Sequence, residues 1–231
     1  MSKPTKPYGR IAFSAPLVPR VLDTSKTATR RIVRNQPPFG VGEIVTGLYH
    51  PEKVDKDGEI YPGDEIFGAY DVYGEWGAKA PYTPDQRLLM LEGYQIEYAW
   101  RSRVTGRYLA DNKAFDVVLA APEWNLFCER KRPYAPTPAR FMYGSLSRAL
   151  IQAKAVRAEW LQEITEEDAQ AEGVALPERT VTMYDGIYRT AFANLWDSIN
   201  KQRGFDWDSN PLVWAIRFEH IGHPGDYPCG M

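Results

Sequence analysis

Apolar and polar positions alternate most clearly near the C-terminal end. Leu212, Trp214, Ile216 and Phe218 fall two apart and predict a strand over 212–219. Upstream, Tyr188, Ala191, Phe192, Leu195, Trp196 and Ile199 recur at helical spacing, with Gly204 as the stop. Thr165-Glu166-Glu167-Asp168 reads as an N-cap with an acidic first turn, opening a short helix to Gly173. At the other end, Gly9–Ser14 reads as a strand, and Pro16 and Pro19 open a short helix through Val21 and Leu22. The β-branched content of Lys26–Val33 suits a strand or extended loop, and 43–49 and 64–73 read as strands, the second preceded by a Gly63-Asp64 turn. Residues 147–160 support two readings: Ala, Gln and Lys favour helix, whereas alternation of Leu150, Gln152, Lys154 and Val156 favours strand. Residues 74–139, rich in Pro, Gly and aromatics, read as an insertion of short strands and long loops. The tail from Gly222 to Met231 is expected to be loose. Few helices among many mixed strands predict an α+β architecture, a small mixed β-barrel with short helices packed outside.

Length and composition narrow the class. A chain of 231 residues buries roughly 70% of its unfolded surface and needs no staples, so a single domain over 1–231 is expected. No apolar run reaches the roughly 18 residues of a membrane span, and no apolar signal core follows the first lysines. Two cysteines, Cys128 and Cys229, suit a reducing compartment, so a cytoplasmic location is expected. The formal net charge of -2 hides four blocks: +7 over 1–34, -8 over 35–99, +6 over 100–160 and -7 over 161–231. If the basic blocks share a face they attract phosphates; otherwise each pairs with its acidic neighbour. His50, His220 and His223 do not make a metal set, the weaker alternative being His220-x-x-His223 with Cys229. No phosphate-binding Gly-rich loop or dinucleotide fingerprint appears, and no cofactor is implied.

Lys26-Thr27-Ala28-Thr29-Arg30-Arg31 follows a short helix that follows a strand. This arrangement resembles the Gly-x-Lys-x-x-(Thr or Glu)-x-Arg signature of the ASCH family of PUA-like β-barrels, matched by Lys26, Thr29 and Arg31, with Thr24 in place of the usual Gly. Gly63-Asp64-Glu65-Ile66-Phe67 is similar to the turn and following strand of that barrel. Leu161–Val174, Phe192–Asn200, and the later Trp207, Asn210-Pro211 and Trp214 resemble phage-borne members. The likeness covers most of the chain but is thin over 72–140. It departs at Gly68-Ala69-Tyr70-Asp71, where an Arg-Glu pair is usual, and at Met142-Tyr143-Gly144-Ser145, where Met-Pro-Arg-Trp is usual.

The resemblance implies a phage or prophage protein whose barrel cleft recognises a nucleic acid or modified nucleoside. Arg30, Arg31, Arg34 and Asp64 are the binding candidates it points to. It also implies two hydrolytic alternatives. In an amidohydrolase acting on acylated cytidine-type nucleosides, Lys26 would be the base, Thr29 the nucleophile or water-positioning group, and Glu172 the proton shuttle. A ribonuclease would use the same cleft. Basic Arg101, Arg103 and Arg107, or Arg130, Lys131 and Arg132, would extend the phosphate contacts, and Trp76, Tyr94, Trp100 or Trp124 would stack on bases.

Overall fold

The computed structural model describes residues 8–176 and 186–226. In chain order it holds β1 (Gly9–Ala12), α1 (Val18–Leu22), β2 (Ala28–Ile32), β3 (Ile44–Tyr49), β4 (Glu52–Val54), β5 (Ile60–Pro62), β6 (Ile66–Asp71), β7 (Gly77–Lys79) and β8 (Arg87–Leu91). There follow β9 (Tyr94–Trp100), β10 (Arg103–Tyr108), β11 (Ala114–Val118), α2 (Ala121–Cys128), β12 (Leu150–Trp160), α3 (Glu166–Ala171), α4 (Ile187–Asn200) and β13 (Leu212–Gly222). The architecture is mixed α+β, and among the described residues every sheet has an open strand order. No helix among them is long and apolar enough to cross a membrane.

The chain divides into two units. One comprises Met1–Thr27, Gln86–Gln152 and Phe218–Met231, the other Ala28–Asp85 and Ala153–Arg217. The chain therefore passes between them at 27/28, 85/86, 152/153 and 217/218, the last two inside β12 and β13.

In the first unit β1 runs parallel to β8, and β8 pairs antiparallel with the start of β12, Leu89 opposite Leu150. Strands β9, β10 and β11 form an antiparallel meander. Its inner face contributes Ile96, Val104 and Phe115 to a core completed by Tyr94, Tyr108, Phe127, Met142 and Leu146. The Tyr108 hydroxyl donates to the Leu146 carbonyl at 2.8 Å. The fully buried Glu92 is neutralised by Arg148, whose guanidinium also reaches Asp111 and lies 4.2 Å from the Tyr108 ring centroid. Residues 74–139 thus hold far more regular structure than their Pro and Gly content predicts. The strands are short, and all but β8, which pairs with β1 and β12, pair with sequence neighbours, so no long period marks them.

In the second unit β3, β6 and β7 form one antiparallel sheet, β4 and β5 a hairpin, and β2 pairs antiparallel with β13. The ambiguous stretch is β12, an eleven-residue strand. Pairing with neighbours overrides the helical propensity of its alanines. Strand β13 is buried on both faces over Leu212–Ile216, which is why its apolar run is continuous rather than alternating. It continues past the expected end at Glu219 to Gly222, and Pro224–Asp226 form a 3-10 turn, so the start of the expected loose tail is structured. Residues 227–231, including Cys229, lie outside the described residues. Helices α3 and α4 pack Ala169, Phe192 and Trp196 with Leu161, Ile164 and Val213.

The Thr165 hydroxyl caps α3 by accepting from the Asp168 N–H at 3.1 Å. Glu166, one residue on, accepts the Tyr188 and Arg189 N–H groups at the start of α4 at 2.6 and 2.9 Å. Replacing Thr165 with alanine is expected to destabilise the protein by about 1 kcal/mol, since one helix N–H loses its acceptor. A urea midpoint indistinguishable from wild type would contradict the cap's role.

Candidate functional site

Strand β2 presents Ala28, Arg30 and Ile32 to one side and Thr29 and Arg31 to the other. Arg30 is opposite Ala215 of β13, a small residue that leaves room beside a guanidinium. Arg30 is buried and donates in three directions. Nε reaches Glu159 at 2.8 Å, Nη2 reaches Asp168 at 3.1 Å and Nη1 reaches Glu172 at 3.3 Å. Arg157 donates from Nε to Glu159 at 2.7 Å and from Nη2 to Asp168 at 2.9 Å, and Arg217 Nη2 also donates to Asp168. Three guanidinium groups and three carboxylates therefore neutralise one another where α3 meets β2, β12 and β13. Burial pushes the Asp168 carboxyl up, but Arg30, Arg217 and Arg157 outweigh it and hold the group below the usual carboxylate range.

Glu172 sits at the C-terminal cap of α3, and its carboxylate also acts electrostatically on Arg31. Burial pulls the Arg31 guanidinium below its ordinary value, opposed by Tyr82 and Glu172. Burial likewise pushes the Tyr82 phenol up, and Arg31 opposes the shift. Thr29, Arg31, Tyr82 and Glu172 all belong to the second unit. They combine a hydroxyl, a planar cation, an aromatic ring with a phenolic tip and a carboxylate. Such a set can donate to phosphate or carbonyl oxygen, accept from an amine and pack against a flat ring.

The other sequence candidates are placed differently. Lys26 lies in the first unit, between α1 and β2. Its side chain is buried, its N–H donates to the Arg20 carbonyl at 2.7 Å and its Nζ is 5.9 Å from the Phe13 ring centroid. Arg34 is exposed just past β2. Asp64 is exposed beyond β5, where a hydrogen bond and charge from Lys53, 3.0 Å away, lower its pKa. Neither belongs to the buried group.

Tyr82 carried no motif and was missed, as were Arg157, Asp168 and Arg217. Reading 147–160 as a strand puts Arg157 and Glu159 on one face, flanking an alanine, and that was the available signal. Part of the basic block at 100–160 is paired with carboxylates, through Arg103–Asp116, Arg107–Glu97, Arg148–Glu92 and Arg157–Glu159. Among the described residues no group of three or more His, Cys, Asp or Glu is placed to hold a metal ion. No protein-family model, curated protein or solved structure matches the chain.

Proposed function

We propose that this chain is a PUA-like protein of the ASCH type that recognises a nucleic acid or modified nucleoside through Thr29, Arg31, Tyr82 and Glu172. The observation that carries the reading is Arg31, half-buried on the same strand face as Thr29, with the Tyr82 phenol and the Glu172 carboxylate acting on its charge. Burying a cation is costly unless a partner compensates, and a site of this composition suits a polar, flat ligand. The family part of the reading is supported by the order of elements, since β1 and α1 precede Lys26, Thr29 and Arg31 at the entry to β2. Arg30, held by three carboxylates, fixes Glu172 and α3 in this reading rather than contacting phosphate, and exposed Arg34 is the phosphate contact.

A second reading, deacylation of an acylated cytidine-type nucleoside by Lys26, Thr29 and Glu172, is favoured by one observation. These three polar residues are 1%, 5% and 4% exposed, levels at which lysine and glutamate are rarely found unless paired, and Glu172 has Arg30 as a partner. Calorimetric titration with a panel of modified nucleosides, alongside product detection, separates the two. Recognition alone gives saturable binding without turnover, weakened about tenfold or more by Arg31→Ala, as expected when a hydrogen bond from a charged group is lost. Deacylation gives product that Lys26→Ala abolishes. A wild-type protein that neither binds nor converts any member of the panel ends both readings.

A further inference from the structure

The β9–β11 meander turns two large aromatic rings to solvent, and a β-bulge is the reason. Gly106 of β10 is opposite Ile96, yet Thr105, the next pair along, is opposite Tyr98, so Glu97 is an extra residue in β9. Simple alternation from the buried Ile96 would point Tyr98 and Trp100 inward and Ala99 outward. The bulge reverses this: Ala99 packs on the core while Tyr98 and Trp100 stand 59% and 64% exposed. Gly106 permits the bulge, because a Cβ there would lie 2.0 Å from the Gln95 carbonyl oxygen. The fold therefore forgoes the burial of two rings that regular pairing would have covered.

We propose that this outer face is a stacking platform for single-stranded RNA, a surface additional to the Thr29–Arg31 group. Tyr98 and Trp100 are two residues apart on one strand face, about 6.8 Å. That is about twice the 3.4 Å spacing of nucleotides along a stacked strand, so an extended chain sets successive bases over successive rings. Arg101, in the turn that follows with φ 53°, has its guanidinium 6.0 Å from the Trp100 ring centroid. Arg103, opposite Trp100, donates Nε and Nη2 to Asp116, both at 2.7 Å, and Arg107 donates to Glu97 at 2.6 Å. The face thus carries three cations against two carboxylates, with Arg101 as the surplus charge beside the rings. That complements a polyanion weakly, so stacking rather than phosphate neutralisation supplies the affinity. Thr105, opposite both Tyr98 and Asp116, places a hydroxyl on the same face, a partner for the ribose 2′-OH that selects RNA.

The test is fluorescence anisotropy of a labelled oligouridine ten-mer against the full chain. Tyr98→Ala and Trp100→Ala are each expected to weaken binding about tenfold, and Trp100→Phe to restore most of it. Both side chains are exposed, so the variants should fold, and circular dichroism checks this. Log affinity against log salt should have a slope near -0.7, as for about one phosphate. The proposal is overturned by no binding, by unchanged affinity in the double alanine variant, or by a slope of several units. Equal affinity for the matching deoxyuridine strand overturns it too, as does a wild-type dimer that the double variant dissolves, which makes the face a contact between copies. Nucleoside calorimetry reports on the Thr29–Arg31 reading and oligonucleotide anisotropy on this face, so either can fail without the other.

Discussion

Replacing Arg30 with alanine is expected to cost about 3–5 kcal/mol of stability, the range for removing one partner from a buried ionic group. The variant leaves Glu159, Asp168 and Glu172 with one guanidinium fewer at a place all three share. Arg157 and Arg217 still reach Asp168, and Arg157 still reaches Glu159, whereas Glu172 loses the guanidinium that Arg30 gives it. Arg30→Lys should fall between wild type and alanine, because one ammonium cannot donate in three fixed directions. The sign of the pH dependence gives a second check. In the wild type the Asp168 pKa is lowered by folding, so its stabilisation is present above the unfolded carboxylate value and is lost as pH falls through the folded value. In Arg30→Ala, Asp168 loses the strongest charge holding its pKa down and binds a proton more readily when folded, so the gap between variant and wild type narrows on acidification. Five of the seven tryptophans, Trp76, Trp160, Trp196, Trp207 and Trp214, belong to the second unit, so intrinsic fluorescence in urea follows the right part of the chain. A variant within 1 kcal/mol of wild type at neutral pH would mean that the cluster is not what holds α3 to the sheet.

The second large effect appears in alkali. Burial pushes the Tyr94 and Tyr108 phenols up to about 12, against an ordinary value near 10. Above pH 10 the unfolded chain loses these protons while the folded chain keeps them. Their contribution is therefore complete below pH 10 and is lost as pH rises toward 12. Each tyrosine removes about 1.4 kcal/mol per pH unit in that window, or about 5 kcal/mol for the pair over two units. Urea unfolding at pH 9, 10, 11 and 12 measures it. Tyr108→Phe should be weaker at neutral pH by about 1 kcal/mol, having lost its bond to the Leu146 carbonyl, yet should escape that residue's own share of the alkaline loss, about 2–3 kcal/mol over two units. An alkaline slope unchanged by Tyr108→Phe would refute the assignment.

Elements whose evidence is local were legible in the sequence. Thr165 and its acidic turn predict α3, the 3.6-residue recurrence from Tyr188 predicts α4, and the Leu212–Phe218 pattern predicts β13. Strand β12 was not, because an alanine-rich segment becomes a strand only through partners distant in sequence. The candidate site divides in the same way. Thr29, Arg31 and Glu172 were visible as motif positions, whereas the burial of Lys26 and the enclosure of Arg30 by three carboxylates are tertiary facts. Lysine and arginine ordinarily read as surface residues, so nothing in their own neighbourhoods announced otherwise. The bulge at Glu97 was equally hidden: one extra residue leaves no trace in the composition, yet it decides which aromatics meet solvent.

The four passages of the chain between its two units bear on inheritance as well as on folding. Neither unit is one continuous stretch, and two of the passages fall inside strands. No single gene segment therefore encodes either unit alone. A recombination event that carried off residues 28–217 would take the second unit with 86–152 of the first still threaded through it. The Thr29–Arg31 group and the Tyr98–Trp100 face consequently travel together: this protein can be varied residue by residue, but its halves cannot be traded as cassettes.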